Sequence, residues 1–152
     1  MCGKRHHFWP LGRWVSACLI CFCTDVVIGW ARDLYEVDEN VGQARLCATV
    51  HEGSLAVTLP PLNVATRDGT ASRGGPSVQQ DYIPIPIPDQ FFFSAANMGP
   101  LCTDIPIVDD LLLELTIEEF FADLSFTAGD EQDRVTIMPG TIEVAIRDND
   151  CK

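Results

Sequence analysis

The chain has 152 residues, of which 22 are Asp or Glu and 10 are Lys or Arg, and its formal net charge is −12. One domain of this length can bury a substantial core, and a hydrophobic content of 47% is too high for a disordered chain. The acidic balance excludes nucleic acid and anionic membranes as main partners, because both require a basic surface. The acidic balance is compatible with a bound cation, or with acids that only keep the protein soluble. The positions of the acidic residues decide between these two roles.

The first part of the chain has the composition of a secretory signal. Basic residues open it, and an uncharged apolar stretch follows over residues 14–24. Asp25 ends that stretch before it reaches the ~20 residues that a membrane-spanning helix needs. Ala31 is the predicted cleavage point, which gives a signal peptide over 1–31 and a folded domain over 32–152. The alternatives are an uncleaved signal anchor, a misassigned start and a core helix.

Four of the seven cysteines belong to the predicted signal segment, and we expect none of them to bind metal, because the segment is dominated by an apolar stretch and offers no histidine apart from the His6–His7 pair. They are Cys2, Cys18, Cys21 and Cys23. Removal of the segment takes away one acidic and three basic residues. The predicted domain therefore carries 21 acidic against 7 basic residues, a net charge of −14.

From Leu34 onward, apolar residues recur at every second position, which is the period of a β-strand. Turn-forming segments rich in Gly, Asp and Pro separate the runs. This alternation predicts half-buried strands in an antiparallel β-sandwich. The predicted inward residues are Leu46, Ala48, Val50, Ile105, Ile107, Phe120, Ala122, Leu124, Phe126, Ile142, Val144 and Ile146.

Three Ile-Pro pairs in succession occupy residues 83–88. Proline lacks an N–H, and residues two apart in a strand point the same way, so one edge of this strand would lack three donors. The run predicts an edge strand that resists further pairing, with a polyproline helix as the alternative. A role as a ligand for an SH3-type groove fits poorly with a secreted chain.

Two cysteines of the predicted domain point away from the core. Cys47 shares a strand face with Thr49, and Cys102 shares a face with Asp104. A cross-strand disulfide between Cys47 and Cys102 is therefore predicted, provided that their strands are neighbours. Two free thiols in a reducing compartment are the alternative. Cys151 is left over, which allows an intermolecular bond.

Acidic residues cluster where the predicted strands end in loops. Alternate strand ends of an antiparallel sandwich lie at the same pole, so several of these carboxylates can converge. The clustered residues are Glu39, Asp81, Asp109, Asp110, Glu114, Glu118, Asp148 and Asp150.

Convergent carboxylates need a hard cation such as Ca²⁺, which takes six to eight oxygen ligands and tolerates irregular loops. Two carboxylates ~4 Å apart repel by about 4 kcal/mol at an effective dielectric constant of 20. The Asp-Asp-x3-Glu pattern over 109–114, together with Asp-x-Asp over 148–150, therefore favours an ion over solvated acids. The chain contains no EF-hand loop.

The order of these motifs resembles that of the Calx-beta domain, over roughly residues 33–150. The resemblance implies an all-β fold, a seven-stranded antiparallel immunoglobulin-like sandwich, as found in sodium/calcium exchangers, integrin β4 and matrix and adhesion proteins. In members that bind calcium, the ions lie at one pole. The matching motifs are Tyr35-x-Val37-x-Glu39-Asn40, Thr66-x-Asp68-Gly69-Thr70-Ala71, Asp81-Tyr82, Ile107-Val108-Asp109-Asp110-x3-Glu114, Glu118-x-Phe120-x3-Leu124 and Ile146-x-Asp148-Asn149-Asp150.

Position by position, the resemblance makes the clustered acids side-chain ligands of Ca²⁺ and adds the main-chain carbonyl of Leu112. Two departures from the family pattern stand out. The loop that leads to Asp81 is longer than usual and carries residues 74–78. Glu118 follows Glu114 by four residues, where three is usual, which could turn one carboxylate away from the ions.

The resemblance implies a non-enzymatic, calcium-binding module of a secreted or cell-surface protein, whose ions stiffen one pole. Its partners would be calcium ions and other matrix or cell-surface proteins, or further Calx-beta modules. The alternative is a spacer or protein-interaction sandwich whose acids are solvated. A carboxylate-based hydrolase ranks far below both, because His51 is the one histidine of the predicted domain and no nucleophile motif accompanies it.

Overall fold

The computed structural model describes residues 25–75, 78–85, 89–110, 117–127 and 133–150. These residues form β-strands and one short 3-10 turn, and no described helix is long and apolar enough to cross a membrane. The elements are β1 (Val26–Trp30), β2 (Leu34–Asp38), the turn Glu39–Val41, β3 (Gln43–Glu52), β4 (Leu62–Asp68), β5 (Arg73–Gly75), β6 (Val78–Gln80), β7 (Asp89–Phe91), β8 (Leu101–Pro106), β9 (Ile117–Phe126), β10 (Val135–Ile137) and β11 (Thr141–Arg147).

The strands form two packed sheets and a separate hairpin. One sheet has the order β10-β1-β3-β8, and the other has the order β2-β11-β9-β4-β7. The hairpin consists of β5 and β6. The all-β sandwich predicted from the alternating pattern is confirmed.

The chain crosses the sandwich from one end to the other several times, and we call each crossing a passage. The first and last passages each contribute a strand to both sheets. β1 and β2 form the first passage, and β10 and β11 form the last. Counted in this way, and with the hairpin set aside, the described residues make seven passages. Since seven is odd, the first and last passages run in the same direction, so β1 pairs with β10 and β2 with β11 in parallel. The other ladders are antiparallel.

Ten of the twelve alternating residues predicted to point inward are buried in the core, and Val50 and Phe126 are partly buried against it. Leu46, Ile105, Phe120 and Val144 are all fully buried. Beneath the hairpin, Tyr82 stacks on Phe120 with ring centroids 4.2 Å apart. Burial of such large side chains is the main stabilising contribution, at roughly 1.5–3 kcal/mol for each apolar side chain.

The fold begins before the predicted domain boundary at residue 32. β1 places Ile28 and Trp30 in the core, with 0% and 1% of their surface exposed. A Cβ at Gly29 would lie 2.1 Å from the carbonyl oxygen of Met138, so β1 is closely packed against the last passage of the chain. Ala31 therefore lies between two strands of the domain. The predicted signal peptide falls largely outside the described residues and stays a prediction.

The predicted disulfide joins Cys47 and Cys102. The two residues are direct partners in the β3–β8 ladder, and their sulfurs are bonded at 2.12 Å. The bond lies on the outer face of one sheet, as the parity of the strands predicted.

The proline run does not form the predicted edge strand in its described part. Tyr82 makes a single bridge with Ile107, and residues 83–85 belong to no strand. The N–H of Ile83 donates to Pro106 O, after which the prolines offer no donors to continue a ladder. Residues 86–88 lie outside the described part. The edge beside this bridge belongs to β8 of the four-stranded sheet, and β7 is an edge strand of the other sheet.

Candidate metal centre

The strand directions bring the predicted acidic residues to one pole of the sandwich. β2, β8 and β11 all run toward this pole, and β9 starts from it, because β9 is antiparallel to β11. The residues that follow β2, β8 and β11, and those at the start of β9, therefore lie together. We call this end of the molecule the acidic pole. Asp81 reaches it through the β5–β6 hairpin, which follows the end of β4.

Glu39, Asp148 and Asp150 form a cluster of three carboxylates at the acidic pole. One carboxylate oxygen from each lies within 4.8 Å of the other two. The parallel register explains the proximity, because Asp38 is paired with Arg147 and the chains leave the sheet side by side. Asp148 Oδ1 then accepts the N–H of Asp150 at 2.7 Å, which turns both aspartates toward the same point.

Glu39 is buried in this cluster, with only 4% of its surface exposed. Its Oε1 accepts the N–H of Asp110 at 3.3 Å, whereas Oε2 accepts no hydrogen bond from the described residues. Burial raises the pKa of Glu39, and the neighbouring carboxylates of Asp110, Asp148 and Asp109 add to that increase; the Asp110 N–H opposes it. The site therefore holds a buried acid whose charge the protein leaves mostly uncompensated.

Asp81 is the second buried acid, with 7% of its surface exposed. Its Oδ2 accepts the N–H of Ser72 at 2.6 Å, and its Oδ1 is buried and accepts no hydrogen bond from an N–H group of the described residues. Burial raises the pKa of Asp81, while the Ser72 N–H and a contact with the carboxyl group of Glu118 oppose the increase. Two carboxyl groups in such contact require either a proton between them or a cation beside them.

Asp110 connects the two buried acids. Its carboxylate raises the pKa of both Glu39 and Asp81. Its Oδ2 accepts a hydrogen bond from the side-chain amide of Gln79. Asp109 is exposed at the rim, where Asn149 Nδ2 donates to its Oδ1 at 3.3 Å.

Seven of the nine predicted ligands are thus in the described part of the chain and lie at the acidic pole: Glu39, Asp81, Asp109, Asp110, Glu118, Asp148 and Asp150. Leu112 and Glu114 lie outside the described residues, and their roles stay predictions. Glu118 is half-buried and its carboxyl group contacts Asp81, so the four-residue spacing has not turned it away from the cluster.

A polar network under the hairpin, which the acidic pattern alone did not indicate, fixes the position of Asp81. The hydroxyl of Tyr82 donates to Asp68 Oδ1 at 2.6 Å, and Arg73 donates from Nε to the same carboxylate at 3.1 Å. Burial opposes ionisation of Asp68, but the hydrogen bonds from Tyr82 and Arg73 outweigh it and lower the pKa of Asp68. In the sequence, the Thr66-x-Asp68 motif and the Asp81-Tyr82 motif were the features that could have indicated this network.

The donor set fits a hard cation. It consists of carboxylate oxygens, three of which are buried and accept no hydrogen bond from the described residues, on Glu39, Asp81 and Asp150. Buried polar atoms are normally paired, so these oxygens indicate a missing positive partner. Oxygen-only ligands on irregular loops are typical of Ca²⁺, whereas zinc sites use His and Cys.

A family model of the Calx-beta domain matches residues 24–150. This chain belongs to the Calx-beta family. The match begins just before β1, in agreement with the place of that strand in the core. Calx-beta domains are a family of binding and regulatory domains, not of enzymes. No curated protein matches this chain by sequence.

Solved Calx structures share the fold of this Calx-beta domain. CBD12 from CALX1.2 is 22% identical with a TM-score of 0.66, and the match covers 82% of this chain and 45% of that one. The apo-form Calx CBD1 domain is 22% identical with a TM-score of 0.60, covering 83% and 99%. The calcium binding domain CBD12 of CALX1.1 is 22% identical with a TM-score of 0.62, covering 81% and 46%. The chain thus spans less than half the length of both CBD12 structures.

Proposed function

We propose that this Calx-beta domain binds Ca²⁺ at its acidic pole. The observation that carries the proposal is the convergence of Glu39, Asp148 and Asp150, with oxygens within 4.8 Å of one another and a buried acid at the centre. Without a cation, this arrangement costs free energy through desolvation and like-charge repulsion. A bound calcium ion would remove most of that cost.

The proposed calcium ligands among the described residues form two groups. Glu39, Asp148 and Asp150 form one group, and Asp81 with Glu118 forms another. Asp110 interacts with both groups and Asp109 lies at the exposed rim, so several ions can share ligands across the pole. Leu112 and Glu114 complete the predicted set.

The effect of calcium on this domain would be mechanical stiffening. The ligands follow β2, β8 and β11 or open β9, so an occupied pole ties both sheets together at one end. Since the ions bind the folded state alone, they stabilise it in proportion to the logarithm of calcium concentration above the dissociation constant. The bound form is therefore the more rigid and more stable form.

We place this function outside the cell or at its surface, in adhesion, matrix or cell-communication roles. The Cys47–Cys102 bond supports this location, because structural disulfides persist in oxidising compartments. The predicted signal segment supports it as well. Partners of this kind of module would be other matrix or cell-surface proteins, or further Calx-beta domains in tandem.

Calorimetric titration of the chain with CaCl₂ tests the proposal. We expect saturable binding in the wild type, and its loss or marked weakening in the double variant Asp148→Asn with Asp150→Asn. Asp89→Asn is the matched control, because Asp89 is an exposed acid at the start of β7 and belongs to no cluster at the acidic pole. Absence of binding in the wild type, with a melting temperature that a chelator does not change, would leave the spacer or protein-interaction module as the function.

A further inference from the structure

Gln79 occupies a position in the acidic pole that no acidic motif indicated. It lies on β6, two residues before Asp81, and alternate residues of a strand share a face. Its side chain is half-buried, and Nε2 is 2.5 Å from Asp110 Oδ2. The amide therefore lies against a carboxylate that interacts with both buried acids.

Hydrogen bonds at the base of the β5–β6 hairpin fix the position of Gln79. Asp81 N donates to Ser72 O at 2.9 Å, and Ser72 N donates back to the Asp81 carboxylate. The backbone N–H and Nε of Arg73 both donate to Asp68. Gln80, on the opposite face, donates its side-chain amide to the carbonyl of Arg73. The two neighbouring glutamines thus have the same chemistry, but only Gln79 faces the carboxylates.

An amide side chain at this point can interact favourably with the acidic pole both without a cation and with a cation bound. Its NH₂ end donates to Asp110 when no cation is present, and its oxygen is a ligand type that Ca²⁺ accepts. The two ends exchange by rotation about the last side-chain torsion, which has two broad minima and requires no backbone movement. A cation at the Asp110 carboxylate would repel the NH₂ end and attract the oxygen.

We propose that Gln79 is a further, neutral oxygen ligand of the calcium centre, on the side that Asp81 and Asp110 share. This inference rests on the proposed function. It assigns the β5–β6 hairpin a direct part in the site. A neutral ligand adds an oxygen without adding repulsion to a pole that already holds many carboxylates.

Terbium luminescence of the full chain tests the inference, because lifetimes in H₂O and D₂O count the water molecules bound directly to Tb³⁺ in calcium sites. We compare the wild type with Gln79→Met, which keeps the side-chain length and removes the oxygen. Gln80→Met is the matched control on the opposite face of the same strand. Melting in calcium-free buffer and circular dichroism establish that each variant is folded.

We expect Gln79→Met to gain one bound water in total and to raise the calorimetric dissociation constant for Ca²⁺ by roughly tenfold. Gln80→Met should match the wild type in both measurements. Weaker calcium binding with an unchanged water count would overturn the ligand role, as would wild-type behaviour in both. A wild type that binds neither Ca²⁺ nor Tb³⁺ would overturn the proposed function itself, so the two failures are distinct.

Discussion

Replacement of Glu39 by Gln should make the calcium-free domain more stable and at the same time abolish its response to calcium. The substitution keeps the shape of the side chain and the acceptor for the Asp110 N–H, and it removes the buried charge. Carboxylate oxygens within 4.8 Å of one another, as in the Glu39–Asp148–Asp150 cluster, repel by at least about 3.5 kcal/mol per pair at an effective dielectric constant near 20.

The net gain should be smaller than the sum of these repulsions. Asp148 and Asp150 are only half-buried, so solvent screens them, and Glu39 can reduce its charge by binding a proton. We expect about 2 kcal/mol, which for a domain of this length raises the melting temperature by about 7 °C in calcium-free buffer.

Differential scanning calorimetry with and without calcium measures both effects. The wild type should melt higher on addition of CaCl₂, whereas Glu39→Gln should start higher and shift little. Glu52→Gln is the control, since Glu52 is exposed at the end of β3, away from the acidic pole. A calcium-free Glu39→Gln protein that is no more stable than the wild type would refute the view that the pole is held under electrostatic strain.

Further predictions concern the disulfide, pH and the start of the mature chain. Replacement of Cys47 and Cys102 by Ala should cost about 4 kcal/mol in urea unfolding, from the entropy of an open 55-residue loop, and a cost near zero would contradict this estimate. The raised pKa values of Glu39 and Asp81 mean that the folded state binds protons more tightly than the unfolded state. In calcium-free buffer their contribution is therefore full below their ordinary pKa values and is lost as the pH rises through the raised ones, so the melting temperature should be higher at pH 5 than at pH 8; the opposite trend would show that these acids are not strained. If a signal peptide is cleaved from the chain, N-terminal sequencing should find a mature protein that starts before Val26, because a start at residue 32 would lack β1.

The fold was largely predictable because the strands alternate. Phe120, Ala122 and Leu124 occupy every second position, and this parity alone places them inside and their neighbours outside. Parity also placed Cys47 and Cys102 on the outer face. Strand order was needed to make them partners, and that order came from long-range pairing that a local pattern does not encode.

The start of the domain was less predictable from composition. β1 is an apolar pentapeptide directly after Asp25, and a buried strand and the end of a signal segment have similar hydropathy. Only its burial against β3 and β10 separates the two. The predicted boundary at residue 32 therefore rests on composition alone, and β1 lies before it.

The candidate metal centre was predictable only where its residues are charged. Glu39 and Asp148 are more than a hundred positions apart, but both follow strands that end at one pole, and the polarity of the strands was enough to group them. Gln79 carries no charge, and its face is defined only once the hairpin register is known. A search for acidic clusters therefore does not find a neutral ligand such as the one proposed at Gln79.

The parallel pairing of β2 with β11 determines how the domain would carry tension. β1 starts at the pole opposite the acids, and β11 ends beside them, so a pull between these two points acts along the length of the strands. The backbone hydrogen bonds between β2 and β11 lie across that direction over Leu34–Asp38 and Glu143–Arg147, and they would be sheared together instead of opened one by one. Calcium at the acidic pole would hold β2 and β11 together where both strands end. In a linear series of such domains, that is the point at which force would pass to the next domain.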